Sequence, residues 1–183
     1  VMSEHPPVRL DADRVECLVF TFKEGVLSAV AHDLKVRVER LSLTLDASAR
    51  TIEARFDTGS LRVVCAMRDG REDPSALSAS DRQKIEATLR DEVLGTSRHP
   101  EATAKATWTG ASNERARVEG TLTLHGVSRP FTGEARVEGG RWAVEVRVHQ
   151  PDFGIKPYSA MLGTLRVKPD VSVRVSVPTD VIA

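Results

Sequence analysis

The sequence predicts an all-β chain of roughly eight antiparallel strands with one surface helix, closed on itself or folded as a two-sheet sandwich. Three observations carry this. Apolar and polar residues alternate with a period of two over most of the chain. Glycine- and proline-containing turn signals separate those runs. Only one segment shows a helical period, whereas a parallel α/β fold needs helices between most of its strands.

The elements follow in order. HDLKVRVERLSLTLD changes phase: Leu34, Val36 and Val38 are even-numbered, whereas Leu41, Leu43 and Leu45 are odd. A strict period of two cannot switch without an interruption, so a bulge or break is expected near Glu39-Arg40. TIEARFD buries Ile52, Ala54 and Phe56. MRDGREDPSALS is a charged loop, and SASDRQKIEATLRDEVLG reads as the helix, about residues 80–95. Ser80 and Gln83 have capping-box spacing, Ile85, Leu89 and Val93 form an apolar stripe, and Gly95 ends it. RARVEGTLTLHG turns Ala116, Val118, Gly120, Leu122 and Leu124 inward. RPFTGEARVEGG continues with Phe131, Gly133, Ala135 and Val137, and RWAVEVRVHQ with Trp142, Val144, Val146 and Val148. DVSVRVSVP closes with Val171, Val173, Val175 and Val177. Turns are expected at His125-Gly126, Gly139-Gly140 and Pro169-Asp170.

The bulk properties narrow the function. Basic and acidic residues both number 26, so the net charge is zero and no nucleic-acid partner is expected. No apolar stretch approaches the roughly 20 residues of a membrane helix. VMSEHPPVRLDADR lacks the basic-then-apolar order of a signal peptide. The chain reads as cytoplasmic as it stands, periplasmic if an export signal has been removed. Cys17 and Cys65 fit two buried free thiols or a single disulfide. One domain over residues 8–178 is expected, with flexible termini at 1–7 and 179–183.

No catalytic or metal constellation emerges, and neither a metal nor a cofactor is expected. None of the five histidines lies within four residues of another. Nucleophile-elbow, phosphate-loop and dinucleotide motifs are absent. His125 falls on the outward phase beside a turn glycine, which points to architecture rather than chemistry. His32-Asp33, entered through the small-residue segment Ser28–Ala31, has two readings: a polar group at a pocket mouth, or a turn contact with Asp33 as its cap.

The inward face is uneven. Ala104 and Ala106, Ala116 and Gly120, and Gly133 and Ala135 lie on successive strands and leave space before them. An unfilled core void is costly, about 2–5 kcal/mol for a buried Leu cut back to Ala. The space must be filled by Phe20, Phe22, Phe56, Trp108, Phe131 and Trp142, or by a ligand. Aromatic residues make up 4% of the chain, so such fillers are few.

GTLTLHGVSRPFTGEA and HQPDFGIKPYSAMLGTLRVKPDVSVRVSV resemble the YceI-like family, lipid- or polyisoprenoid-binding bacterial proteins of lipocalin-like fold. FTFKEGVLSAVAHDLKV and DEVLGTSRHPEATAKATW resemble other stretches of it in the same order, and together they span residues 15–178. The resemblance implies a lipocalin-like antiparallel β-barrel of about eight strands with an elongated apolar tunnel. By position it points to Phe20, Phe22, His32, Leu34, Phe153, Ile155 and Tyr158 near the tunnel or its mouth. The inward phase adds Val36, Phe56, Trp108, Leu122, Leu124, Phe131 and Trp142. The expected function is non-catalytic binding, sequestration or transport of a long-chain apolar amphiphile (an isoprenoid, an isoprenoid quinone or a fatty-acyl lipid). The alternatives are a filled-core structural or stress-related barrel acting through its surface, and an enzyme using His32-Asp33. A homodimer is compatible with the resemblance.

Overall fold

The alternating runs fold as strands in a computed structural model that describes residues 5–25 and 31–182. In chain order these are β1 (Val8–Asp11), β2 (Glu16–Thr21), β3 (Lys23–Glu24), β4 (Asp33–Val38), β5 (Leu41–Asp46), β6 (Thr51–Asp57), β7 (Leu61–Arg68) and β8 (Arg71–Asp73). After helix α1 (Ala79–Thr88) come β9 (Glu101–Ser112), β10 (Arg115–Leu124), β11 (Val127–Glu138) and β12 (Arg141–His149). The chain ends with β13 (Ser159–Ala160), β14 (Leu165–Val167) and β15 (Asp170–Pro178).

The expected count of about eight strands is therefore too low. Twelve strands form one curled antiparallel sheet, a half-barrel consistent with the lipocalin-like reading, in the order β1-β5-β6-β9-β10-β11-β12-β15-β2-β4-β7-β8. A smaller sheet joins β13, β14 and β3. The extra strands are mostly two to four residues long, too short to show a period of two.

The phase change lies where it was expected. β4 stops at Val38 and β5 starts at Leu41, with a further register shift at Lys35/Val36. β4-β5 and β6-β7 thus form one long antiparallel ribbon, folded at a corner, whose halves occupy opposite ends of the sheet order. Ser60, which is 0% exposed, holds the corner. Its hydroxyl donates to Asp57 O (2.7 Å) and accepts from Arg40 N (2.9 Å), while its carbonyl accepts from Glu39 N (3.2 Å). Asp57 takes Gly59 N on Oδ1 and Arg40 Nε on Oδ2, both at 2.8 Å.

Helix α1 packs along β7. Its capping box is Ser78 with Asp81 rather than Ser80 with Gln83: Asp81 N donates to Ser78 Oγ (3.1 Å) and Ser78 N to Asp81 Oδ2 (3.0 Å). The same Ser78 contacts hold the Asp81 carboxyl below the usual aspartate range. A π-turn, Leu89–Val93, extends the helix to Gly95, which ends it at φ +55° as expected.

His125 and Gly126 take φ of +54° and +75°, the left-handed pair that a two-residue type I′ hairpin needs. His125 also braces its surroundings: Nδ1 donates to Phe153 O (3.2 Å), and its ring lies 4.2 Å from that of His99. Gly139-Gly140 forms the β11–β12 turn, whereas Pro169 makes a bend between β14 and β15. Past the expected domain end at 178, Val181 is still buried in the core.

Candidate functional site

The inward face of the curled sheet surrounds a cavity of about 250 Å³. Its size follows from side-chain volume along the register. Ala54 of β6 sits opposite Ala104 of β9, and Ala102 and Ala106 flank them. These alanines and Val19, Val144, Val146, Val171, Val173 and Val175 form much of the wall. Leu89, Val93 and Leu94 add apolar side chains from the helical segment.

Little of the lining is polar. Cys17, Thr21, Asp57, Thr58 and Gln150 are its only residues outside the apolar set, and no Lys, Arg or His lines it among the described residues. Asp57 is the only charged one, and the corner already engages both of its oxygens. Thr58 Oγ1 donates to His99 O (2.6 Å). Burial, with a smaller effect from Glu16, pushes the Cys17 thiol up from 9.0 to about 12, so it stays neutral at physiological pH. Cys65 is buried too, and burial likewise raises its thiol. Both cysteines are free, which settles the open pairing question.

Of the residues named from the sequence, Val36, Phe56, Leu122, Leu124, Phe131 and Ile155 line this cavity. Trp108 and Trp142 border a separate void of about 70 Å³ with Leu45, Ala135 and Val177, so the two indoles fill the neighbouring part of the interior. Leu34 packs instead with Val63, Ala66 and Leu77. Phe153 is buried among Val148, Ile155 and Val171 without reaching the cavity. Phe20 has the opposite phase to Val19 and Thr21, and Phe22 is 37% exposed. Tyr158 lies beside the small sheet, its carbonyl accepting from Val167 N (3.0 Å).

His32 is half-buried, outside the lining and close enough to Asp81 to help lower that carboxyl. Asp33 Oδ1 accepts from Lys23 N (2.7 Å) and so ties β3 to β4. That contact is the turn-capping alternative for Asp33. Ser28, Ala29 and Val30, in the segment entering this pair, lie outside the described residues. No group of three or more His, Cys, Asp or Glu able to hold a metal occurs among the described residues. No helix among them is long and apolar enough to cross a membrane.

Several wall residues were missed as site candidates although their phase was legible. Val171, Val173 and Val175 of β15 and the Leu89-Val93 stripe stood out as core positions, and the structure puts them on the cavity. Thr21 carried no sequence signal. An open cleft of about 450 Å³ between β9, β10 and β11 is lined largely by exposed side chains, Thr109, Arg115, Arg117 and Glu134 among them.

Similarity to known proteins agrees with this geometry. The chain superposes on Burkholderia cenocepacia BcnA with a TM-score of 0.63 at 12% identity, covering 92% of this chain and 98% of that one. It superposes on a polyisoprenoid binding domain from Saccharophagus degradans, implicated in plant cell wall breakdown, with a TM-score of 0.59 at 15% identity, covering 93% and 95%. The Campylobacter jejuni YCEI protein aligns with a TM-score of 0.53 at 16% identity, covering 79% and 82%. At such identities these likenesses speak for the fold. No curated protein matches the chain by sequence. The YceI-like domain model matches residues 11–179, nearly the whole curled sheet, and the chain belongs to the YceI-like family.

Proposed function

We propose that the protein is a non-catalytic binding protein that holds an apolar chain, of isoprenoid or fatty-acyl type, in the interior of the sheet. The observation that carries this is the cavity of about 250 Å³ with its almost wholly apolar lining. At about 24 cal/mol per Å³, leaving it empty costs on the order of 6 kcal/mol, as much as many domains have in total stability. Burying methylenes offsets this at about 0.8 kcal/mol each. The polyisoprenoid binding domain from Saccharophagus degradans, of the same fold, supports the choice of ligand class. Val36, Phe56, Leu122, Leu124, Phe131 and Ile155 are the binding residues on this reading. An apolar cavity of about 150 Å³ admits benzene, so this one has room for roughly ten carbons before the wall must give.

Native mass spectrometry of gently purified protein, followed by organic extraction, tests the proposal. An extra mass recovered in the extract as an isoprenoid or fatty-acyl compound is expected. A clean apo mass that persists after incubation with isoprenoid quinones and fatty acids overturns it and leaves the filled-core barrel.

A further inference from the structure

Among the described residues, one buried side-chain polar atom has no hydrogen-bond partner: the hydroxyl of Thr21. Thr21 is 8% exposed and closes β2 on the cavity face, in phase with Cys17 and Val19. An unpaired buried hydroxyl is a standing penalty that a valine of the same shape would not carry. Thr21 pairs with Leu34 of β4, and Val171, paired with Val148, follows directly beyond the last β2–β15 pair, Phe20–Ser172, so Thr21 sits at the end of β2 among apolar residues.

Gln150, the next inward position after Val148, is the second polar residue at this end. It is 7% exposed, and its Nε2 donates to Lys168 O (3.1 Å). Lys168 N in turn donates to Phe22 O, next to Thr21 in the chain. The two polar side chains thus mark one end of the cavity, while the Ala54–Ala104 pair lies in its apolar wall.

Resting on the binding function proposed above, we infer that Thr21 is the anchor for the polar end of the guest and that this end is uncharged, a hydroxyl or a carbonyl. Rotation about χ1 moves the Thr21 hydroxyl among the staggered positions, and in any of them it can donate to or accept from a guest. The charge of the guest follows from the wall. A buried anion needs a cation or several donors, and no Lys, Arg or His lines the cavity among the described residues. The one carboxylate there, Asp57, is already paired with Arg40 and supplies no positive charge to a guest. Phosphate or carboxylate ends are therefore excluded from the interior, and alcohol, ketone or quinone ends are admitted.

Partition of heptane, 1-heptanol and heptanoate at pH 8 into delipidated full-length protein, read by extraction and gas chromatography, tests this for wild type, Thr21→Val and Thr21→Ser. The expected result is a heptanol-to-heptane affinity ratio that falls about tenfold in Thr21→Val and recovers in Thr21→Ser, with no heptanoate uptake. Heptane binding by wild type with an unchanged ratio in Thr21→Val refutes the anchor and leaves the apolar cavity standing. Heptanoate binding as tightly as heptanol refutes the neutral end. Absence of heptane binding by wild type removes the cavity reading itself, and the anchor with it.

Discussion

Ala104→Leu separates a cavity from a packed core by the sign of its effect. Ala104 lies between Ala54 of β6 and Leu122 of β10, and all three line the cavity. Leucine adds three carbons to that wall. At about 0.8 kcal/mol per buried methylene group, filling empty space stabilises the ligand-free protein by about 2 kcal/mol. For a chain of this length that corresponds to a rise in Tm of roughly 4–8 °C. The assay is urea unfolding of delipidated protein followed by the fluorescence of Trp108 and Trp142. Delipidation is essential, because a retained ligand stabilises wild type by mass action and hides the gain. The same substitution should weaken binding, since guest and side chain claim the same volume. In a packed core the added carbons would instead cost about 1–3 kcal/mol. A destabilised Ala104→Leu protein with unchanged ligand uptake would refute the cavity argument.

Other perturbations probe separate parts of the molecule. Leu122→Trp should abolish binding of long apolar chains while circular dichroism still reports a folded β protein; unchanged binding would count against occupancy of the interior. Cys17 should make stability fall at alkaline pH. Its thiol stays protonated to about 12 in the folded state and to 9.0 otherwise, so the folded chain binds the extra proton between those values. The stabilisation is complete below pH 9, and about 2–3 kcal/mol of it is lost by pH 11, measured as a shrinking difference from Cys17→Ser. Ser60→Ala should cost about 1–3 kcal/mol in urea unfolding, because it strands Arg40 N and Asp57 O at the buried corner. Gly120→Ala should unfold the chain or greatly reduce its yield, since a Cβ there would collide with Lys105 O and lie 2.7 Å from Ala106 Cα.

The parts of the fold visible in the sequence were those that a period of two can report. The long runs of β9 to β12 and β15, the His125-Gly126 turn and the break at Glu39-Arg40 all follow from side-chain alternation and turn chemistry. Short pairings such as β13 with β14 hold too few residues to show a phase. The capping box was placed two residues late because Ser78 and Ser80 offer the same chemistry, and only backbone geometry chooses between them. For the site, the run of small residues announced the space, and phase placed Leu122, Leu124 and Phe131 on it. Aromatic identity misled: size marks a residue as a filler without saying which void it fills, so Trp108 and Trp142 belong to a different one. Thr21 was invisible because an unpaired hydroxyl is defined by what does not surround it.

The corner at Ser60 has a consequence for how much the protein can hold. The sheet order ends on short edge strands, β1 and β8, and the one ribbon that folds at this corner supplies the strands next to both of them. The fold between Val38 and Leu41 and between Asp57 and Leu61 therefore sets how those two parts of the wall face each other. On the proposed function, side chains inside the sheet would select the guest, and the geometry of that corner would set the room it has. Sequence change confined to it would rescale the lumen without altering a single residue of the lining beyond Asp57 and its neighbours.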